Sequence, residues 1–340
     1  MKPRAAFILL IFLTGALFCL SIGAGALSLT PAQLLKALFG QGDARTLAVL
    51  VELRLPRALT ALCGGAGLAA AGCLMQTLFG NPLAGPDVLG INSGASLGIA
   101  ALLLATSDLA VVGTFIENLR FMGGGGLVTA ATAGAAAVMA LIQLMALRVR
   151  RPVTLLVLGM MIGYAVSSAV NIMISVAMPV QTQAFLSWSF GSFSGTEMTS
   201  AVTLGLCCGS GILVSTLLSK GLDALHLGEE SARALGVNVA LLRHCAIAAA
   251  SLMAGAVTAF CGPVSFLGIA VPHVSRLICP RSSHRVQLPL TALTGASMAL
   301  AADLLSRTAG GALPLNSVTS LMGVPVVLWV ILKGHRKIDG

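Results

Sequence analysis

Ten apolar stretches, most of them near the length of a bilayer's hydrocarbon core, leave this chain almost no way to fold in water. A helix needs about 20 apolar residues to cross that core. The stretches fall at 5–27, 58–79, 88–107, 122–147, 153–178, 198–219, 240–261, 264–279, 286–306 and 313–333. Only 9% of residues are charged, against about 25% in soluble domains. Lipid cannot satisfy backbone groups, so such spans must be helices that bond internally. The expected fold is an all-α polytopic membrane protein, one domain over 1–340. Gly262-Pro263 precedes the short stretch 264–279, which is therefore expected to begin as a broken or re-entrant helix. The first stretch starts with Lys2 and Arg4 and ends in Ala24-Gly25-Ala26, as a signal peptide does. Its apolar part is long for one, so an uncleaved helix is expected.

The net charge is +9, but the basic residues sit mainly between apolar runs, which argues against nucleic acid as a partner. With the N-terminus inside, 14 of the 20 Lys and Arg fall in cytosolic segments and 6 outside. That asymmetry places both termini in the cytosol. The six exceptions, Lys36, Arg45, Arg54, Arg57, Arg120 and Arg307, need another reason. Thr30 and Pro31 suit the start of a short helix on the outer surface, with Leu34, Leu35 and Leu38 on one face. The aromatic segment 179–197 reads as a second such helix. Four-residue spacing of small residues, at Gly65/Ala69, Gly67/Ala71 and Gly64/Leu68/Gly72, marks close helix packing. The eight cysteines show no metal-ligand spacing and read as small packing residues.

One break is unlike the rest. Gly221–Asn238 holds Asp223, Glu229 and Glu230, three of the eleven acidic residues, between two almost purely apolar segments. Glu229 and Glu230 suit a helix start, and Gly236 suits its end. A short capped helix on the surface of a membrane body offers a handle to another protein. An ordinary solvated loop helix would have a similar local sequence.

The run Glu230-Ser231-Ala232-Arg233-Ala234-Leu235-Gly236 has the E-A-A-x-x-x-G spacing of ABC importer permeases, with Ser in place of the first Ala. Further motifs follow one another along the chain: Arg54-Leu55-Pro56-Arg57, Asn81-Pro82-Leu83-Ala84, Leu89-Gly90, Gly262 to Gly268, Pro272-His273-Val274-Ser275-Arg276, Ala302-Asp303 with Arg307, and Leu313-Pro314. In this order and spacing, from about Glu52 to Gly323, the chain resembles the FecCD family of permeases, the type II ABC importers for ferric siderophores, haem and vitamin B12.

The resemblance implies a vitamin B12 permease-like fold of ten helices and a dimer, identical or mixed, around a central pathway in the bacterial inner membrane. Two ATP-binding subunits would dock below and an extracytoplasmic substrate-binding protein above. Gly228, Glu229, Glu230, Ala232, Arg233, Leu235 and Gly236 would form the helix that couples to the ATPase. Arg54, Arg57 and Arg307 would face acidic residues of the binding protein, which accounts for three of the outside cations; lipid headgroup contact would also suit Arg54 and Arg57. Asn81 and Leu83 would lie at the cytoplasmic gate. The pathway would be lined mainly by the fifth stretch and the segment after it, with Ser187, Trp188 and Ser192 near its outer mouth. Asp303 and Arg307, four apart with the acid first, read as a structural ion pair.

No lysine (2, 36, 220, 333, 337) is followed by Ser or Thr, so no P-loop is present. No nucleophile constellation is legible either. The chain is expected to carry no cofactor, ATP and Mg belonging to the partner ATPase. An ion-gradient-driven transporter is the rival reading; it calls for charged residues near the midplane, and apart from Asp303 the spans offer few.

Overall fold

The computed structural model describes residues 2–25, 43–104, 125–149, 151–280, 283–308 and 313–335. Among these, all regular structure is helical. The surface helix expected around Thr30 lies outside the described residues.

The long helices are α1 (Pro3–Gly23), then α2 (Ala44–Ala48), which runs through a π-helical turn at Val49–Arg54 into α3 (Leu55–Phe79). A 3-10 turn at Pro86–Leu89 leads into α4 (Ile91–Leu104), followed by α5 (Gly125–Arg148) and α6 (Pro152–Ser175). Next come α7 (Pro179–Ser189), α8 (Met198–Leu217), and two short helices, α9 (Ser219–Leu225) and α10 (Glu229–Ala234). The chain ends with α11 (Val239–Cys261), α12 (Leu267–Ile278), α13 (His284–Arg307) and α14 (Leu315–His335). Prolines open α1, α6 and α7, where a missing N–H costs nothing.

Seven of the described helices are long and apolar enough to cross a membrane, and three apolar ones, Ile91–Leu104, Leu267–Ile278 and Leu315–Val330, are shorter. Each of the ten stretches carries one of these helices. Two of the short ones, α4 and α12, have a visible cause in the chain before them. Val257 of α11 lies beside Gly64 of α3, whereas Gly268 of α12 lies against Gly72. From Gly64 to Gly72, α3 advances about 12 Å at 1.5 Å per residue. The segment 262–266 covers that depth without forming a helix, with Gly262 at φ 72 and Phe266 at φ 66. The break expected before this stretch is therefore present. In the same way the chain turns back after α3, Pro86 packs on Gly268, and Gly90 packs on Gly163 in the middle of α6. α4 thus begins well inside the bundle.

Non-helical backbone at this depth survives only where protein or water satisfies it. Here protein does much of that. Ser192 N–H donates to the Cys261 carbonyl at 2.8 Å, Asn316 N–H to Phe190 at 3.1 Å, and Ser265 N–H to the Asn316 side chain at 3.1 Å. At the other break, Asn92 donates to Asp87 at 2.9 Å and accepts from Thr258 at 2.7 Å. α7 itself is largely exposed, with Gln181 its one buried residue, whereas the chain after it turns at Gly191 into the space left by the broken α11–α12 connection, against the Pro263 carbonyl.

α3 is the central helix, enclosed by α8, α11, α12 and α13. The spaced small residues read from the sequence sit at these contacts. Gly65 meets Gly295 and Ala299, Gly67 meets Cys208, and Gly72 meets the Gly268 backbone. α10 projects from one end of the bundle, and Arg57 and Arg307 lie at the other end of α3 and α13.

Candidate functional site

Three clusters hold the residues singled out in the sequence. The first is α10. Gly228 at φ 107 precedes it, and Gly236 at φ 81 ends it, conformations that L side chains rarely adopt. Val237 N–H donates to the Ala232 carbonyl at 3.0 Å and Gly236 N–H to Arg233 at 2.9 Å. That pair of bonds is a Schellman cap. Beneath the helix, Ala232 is 0% exposed and packs with Ala224 and Val239. Glu229 is held inward, 2.8 Å from Arg233 and 3.5 Å from Arg243. The outer face carries Glu230, Ser231 and Arg233, flanked by Leu227 (70% exposed) and Leu235 (66% exposed). The exposed face is thus a capped polar helix between two bare leucines. The sequence foresaw one helix within 221–238; the break holds two, since α9 begins at Ser219 and ends before Gly228.

The second cluster is the turn after α3. Gly80 leaves the helix at φ 57. Asn81 Oδ1 accepts from Leu83 N–H at 2.9 Å, an Asx turn. His273 Nε2 meets the Pro82 carbonyl at 2.8 Å. Asn81 therefore shapes the loop with its carbonyl oxygen, and Leu83 is the exposed apolar side chain.

The third cluster is at the opposite end. Asp303, 1% exposed, is gripped by two arginines. Arg57 reaches it through Nε at 2.9 Å and Nη2 at 2.8 Å, and Arg307 also pairs with it through Nη2. The pairing of Asp303 with Arg307 agrees with the sequence reading. Arg57 was not foreseen as a partner, because 246 residues separate it from Asp303. Arg307 further donates to Ser21 and Ala24 at the end of α1. Arg54 is placed differently from the other two. It is buried, with Nη1 bonded to the Ile22 and Gly23 carbonyls at 3.0 and 2.9 Å. The last carbonyls of a helix attract cations, so Arg54 ties α1 to the π-helical turn and presents no exposed charge in this conformation.

Removing a partner from a buried ion pair leaves an uncompensated charge, a loss of 3–5 kcal/mol when burial is complete. Arg57 and Arg307 keep 24% and 14% exposure. Asp303→Asn is therefore expected to cost about 2 kcal/mol once partial solvent screening is allowed for. A lower thermal midpoint of the detergent-solubilised protein checks this.

The pathway residues fall on the α7 turn. Ser187 and Ser192 are exposed. Trp188 stacks obliquely on Phe185 with centroids 6.1 Å apart, and among the described residues its Nε1 has no hydrogen-bond partner. α6 adds what the sequence did not single out. It is the least covered of the long helices, and Thr154, Tyr164, Ser168, Asn171 and Ser175 are all exposed on it. From Tyr164 onward they recur every three or four residues, which keeps them on one side of a helix. Polar side chains that fall inside a bilayer usually face protein or a water-filled cavity rather than lipid.

The comparisons with known proteins identify the family. The FecCD transport family matches residues 9–333. The vitamin B12 import system permease protein BtuC of Escherichia coli O9:H4 (strain HS) is 36% identical over 296 residues, covering 84% of each chain. BtuC of Shigella boydii serotype 18 (strain CDC 3083-94 / BS512) matches to the same extent. A solved structure described as an inward-facing conformation of a proposed metal-chelate type ABC transporter superposes with a TM-score of 0.83 at 28% identity, covering 98% of this chain and all of the other. Matched along nearly its whole length, the chain belongs to the FecCD transport family of ABC importer permeases.

Proposed function

We propose that two copies of this chain, or one copy and a close homologue, form the translocation pathway of an ATP-driven importer in a bacterial inner membrane. Each subunit crosses ten times with both termini in the cytosol. The cargo is a bulky metal chelate, an iron siderophore, haem or cobalamin. In support, one named relative imports vitamin B12 and one is of metal-chelate type. ATP and Mg bind the separate ATPase pair, and this chain performs no covalent chemistry.

The observation that carries the reading is the seating of α10. Its inner side is anchored through Ala232 and Glu229, and its outer side is free. A push on that face passes into the bundle rather than bending a loose loop. At the other end, Arg57 and Arg307 form a basic rim for an acidic binding protein, with charge setting encounter rate and register; Arg54 supports them from below. Leu83, with Asn81 shaping its loop, closes the cytosolic side by apolar contact across the dimer axis. The α6 stripe, with Ser187, Trp188 and Ser192, lines the passage.

Co-expression with the P-loop ATPase subunit of the same importer tests the reading. The detergent-solubilised permease should retain a P-loop subunit. A chain that never does so, or uptake that continues when ATP is depleted and the ion gradient is kept, rules it out.

A further inference from the structure

A hydrogen-bonded chain of three side chains runs from the helix before α10 to the last turn of α3. Asp223 belongs to α9 and sits five residues before Gly228. Its Oδ1 accepts from the His284 backbone N–H at 2.8 Å and contacts His284 Nδ1 at 2.6 Å. His284 is the first residue of α13, and among the described residues Ser283, just before it, makes no side-chain cap bond. A helix N-terminus favours a carboxylate, so Asp223 caps α13 from a different element. On the other side of the ring, His284 Nε2 meets Thr77 Oγ1 at 2.8 Å. Thr77 is buried, bonded to the Cys73 carbonyl at 2.9 Å, and stands three residues before Gly80, where the chain turns into Asn81–Leu83.

The chain therefore connects α9, α13 and α3 at one end of the bundle. It borders a cavity of about 350 Å³, also lined by His226, Leu227, Arg276 and Gln287. The cavity lies on one side of α9, while Leu222 and Ala224 hold its other side against the bundle and α10, so a displacement of α10 is carried into α9. α13 in turn packs closely along α3, Gly295 against Gly65, so a pull at the α13 start reaches α3 along two routes.

We propose that Asp223, His284 and Thr77 are positioning residues that transmit displacement of α10 to the loop Asn81–Leu83. The link rests on the reading of α10 as the coupling helix. Its prediction is specific: loss of one hydroxyl or one charge in the chain uncouples the gate from the motor without detaching the motor.

The test uses the complete complex with its ATPase in inside-out vesicles. Leu83→Cys is labelled with a membrane-impermeant maleimide, with and without Mg·ATP, and the labelling of the parent chain is subtracted. Mg·ATP is expected to change the labelling rate. Asp223→Asn and Thr77→Val should shrink that change roughly threefold or more, the usual reach of a residue within a coupling network. Thr77→Ser should restore it, which a purely steric role for the threonine would not require. Co-purified ATPase should be equal in all variants. If Asp223→Asn fails to accumulate, the Val and Ser variants at Thr77 decide alone. An undiminished response in the Asp223 and Thr77 variants, with Glu230→Arg abolishing it, overturns the link and leaves the coupling helix standing. A response that survives Glu230→Arg overturns the coupling reading and the link with it. A Leu83→Cys chain with no further change that shows no response overturns the gate assignment, and again the link.

Discussion

Reversing one charge on the outer face of α10, by Glu230→Arg, is expected to reduce ATP-dependent uptake at least about tenfold, since like-charge contacts at an interface cost several kcal/mol and each 1.4 kcal/mol is a factor of ten. Glu230 is exposed and makes no ion pair among the described residues, so the folded subunit loses nothing inside itself. Its position in the first turn is where the helix dipole favours an acid, a preference of 0.3–1 kcal/mol at a surface. That cost is too small to unfold a helix seated on Ala232. Gly236→Pro strikes the same element from its end. Proline cannot adopt φ 81, and it removes the N–H that bonds the Arg233 carbonyl. Uptake of labelled cyanocobalamin and of a ferric chelate, scored beside the size-exclusion profile of the permease dimer, separates lost coupling from lost folding. Glu229→Gln should be milder, because Glu229 faces inward to Arg233 and Arg243 and anchors the helix rather than meeting the partner. Wild-type accumulation in both the Glu230 and Gly236 variants would remove α10 from the mechanism.

The features legible in the sequence are those set by neighbours along the chain. Helix length follows from runs of apolar residues. The ends of α10 follow from Gly228, the two glutamates and Gly236, because caps and left-handed turns are decided within a few residues. The Asp303–Arg307 pair was readable for the same reason, four residues on one helix. The rest depends on contacts between distant segments, which no spacing encodes. Arg57 and Arg307 look like equivalent outside cations, yet they share one carboxylate. Arg54 carries the same charge and is consumed by the carbonyls of α1. The segment 179–197 has the composition of a surface helix, and only the gap left by the broken α11–α12 connection explains why its end turns inward. Asp223 and His284 lie 61 residues apart on elements that would each look complete alone.

Glycine spacing shows the same limit in a form that can be measured. Gly64 and Gly72 lie on one four-residue stripe of α3, and the sequence gives no reason to treat them differently. A methyl group at Gly64 would stand 3.5 Å from Phe193 and 3.6 Å from Val257, ordinary contacts with side chains. A methyl group at Gly72 would stand 1.7 Å from the Gly268 carbonyl oxygen and 2.5 Å from its carbon, both backbone. A side chain can rotate away; a helix backbone must move as a body. Gly64→Ala is therefore expected to be neutral or slightly stabilising, since alanine is favoured over glycine inside a helix by about 1 kcal/mol. Gly72→Ala must push α12 away from α3 and is expected to cost about 3 kcal/mol, the upper part of the range for overpacking. The damage should reach further than stability. Gly268 also supports Pro86, at the start of the 3-10 turn that follows the loop Asn81–Leu83. Thermal midpoints in detergent and uptake in vesicles should both separate the two variants, with Gly72→Ala low in each and Gly64→Ala near the parent. Equal behaviour of the two alanine variants would mean that α3 and α12 do not approach as closely as the backbone contact requires. The broken entry to α12 would then need another explanation.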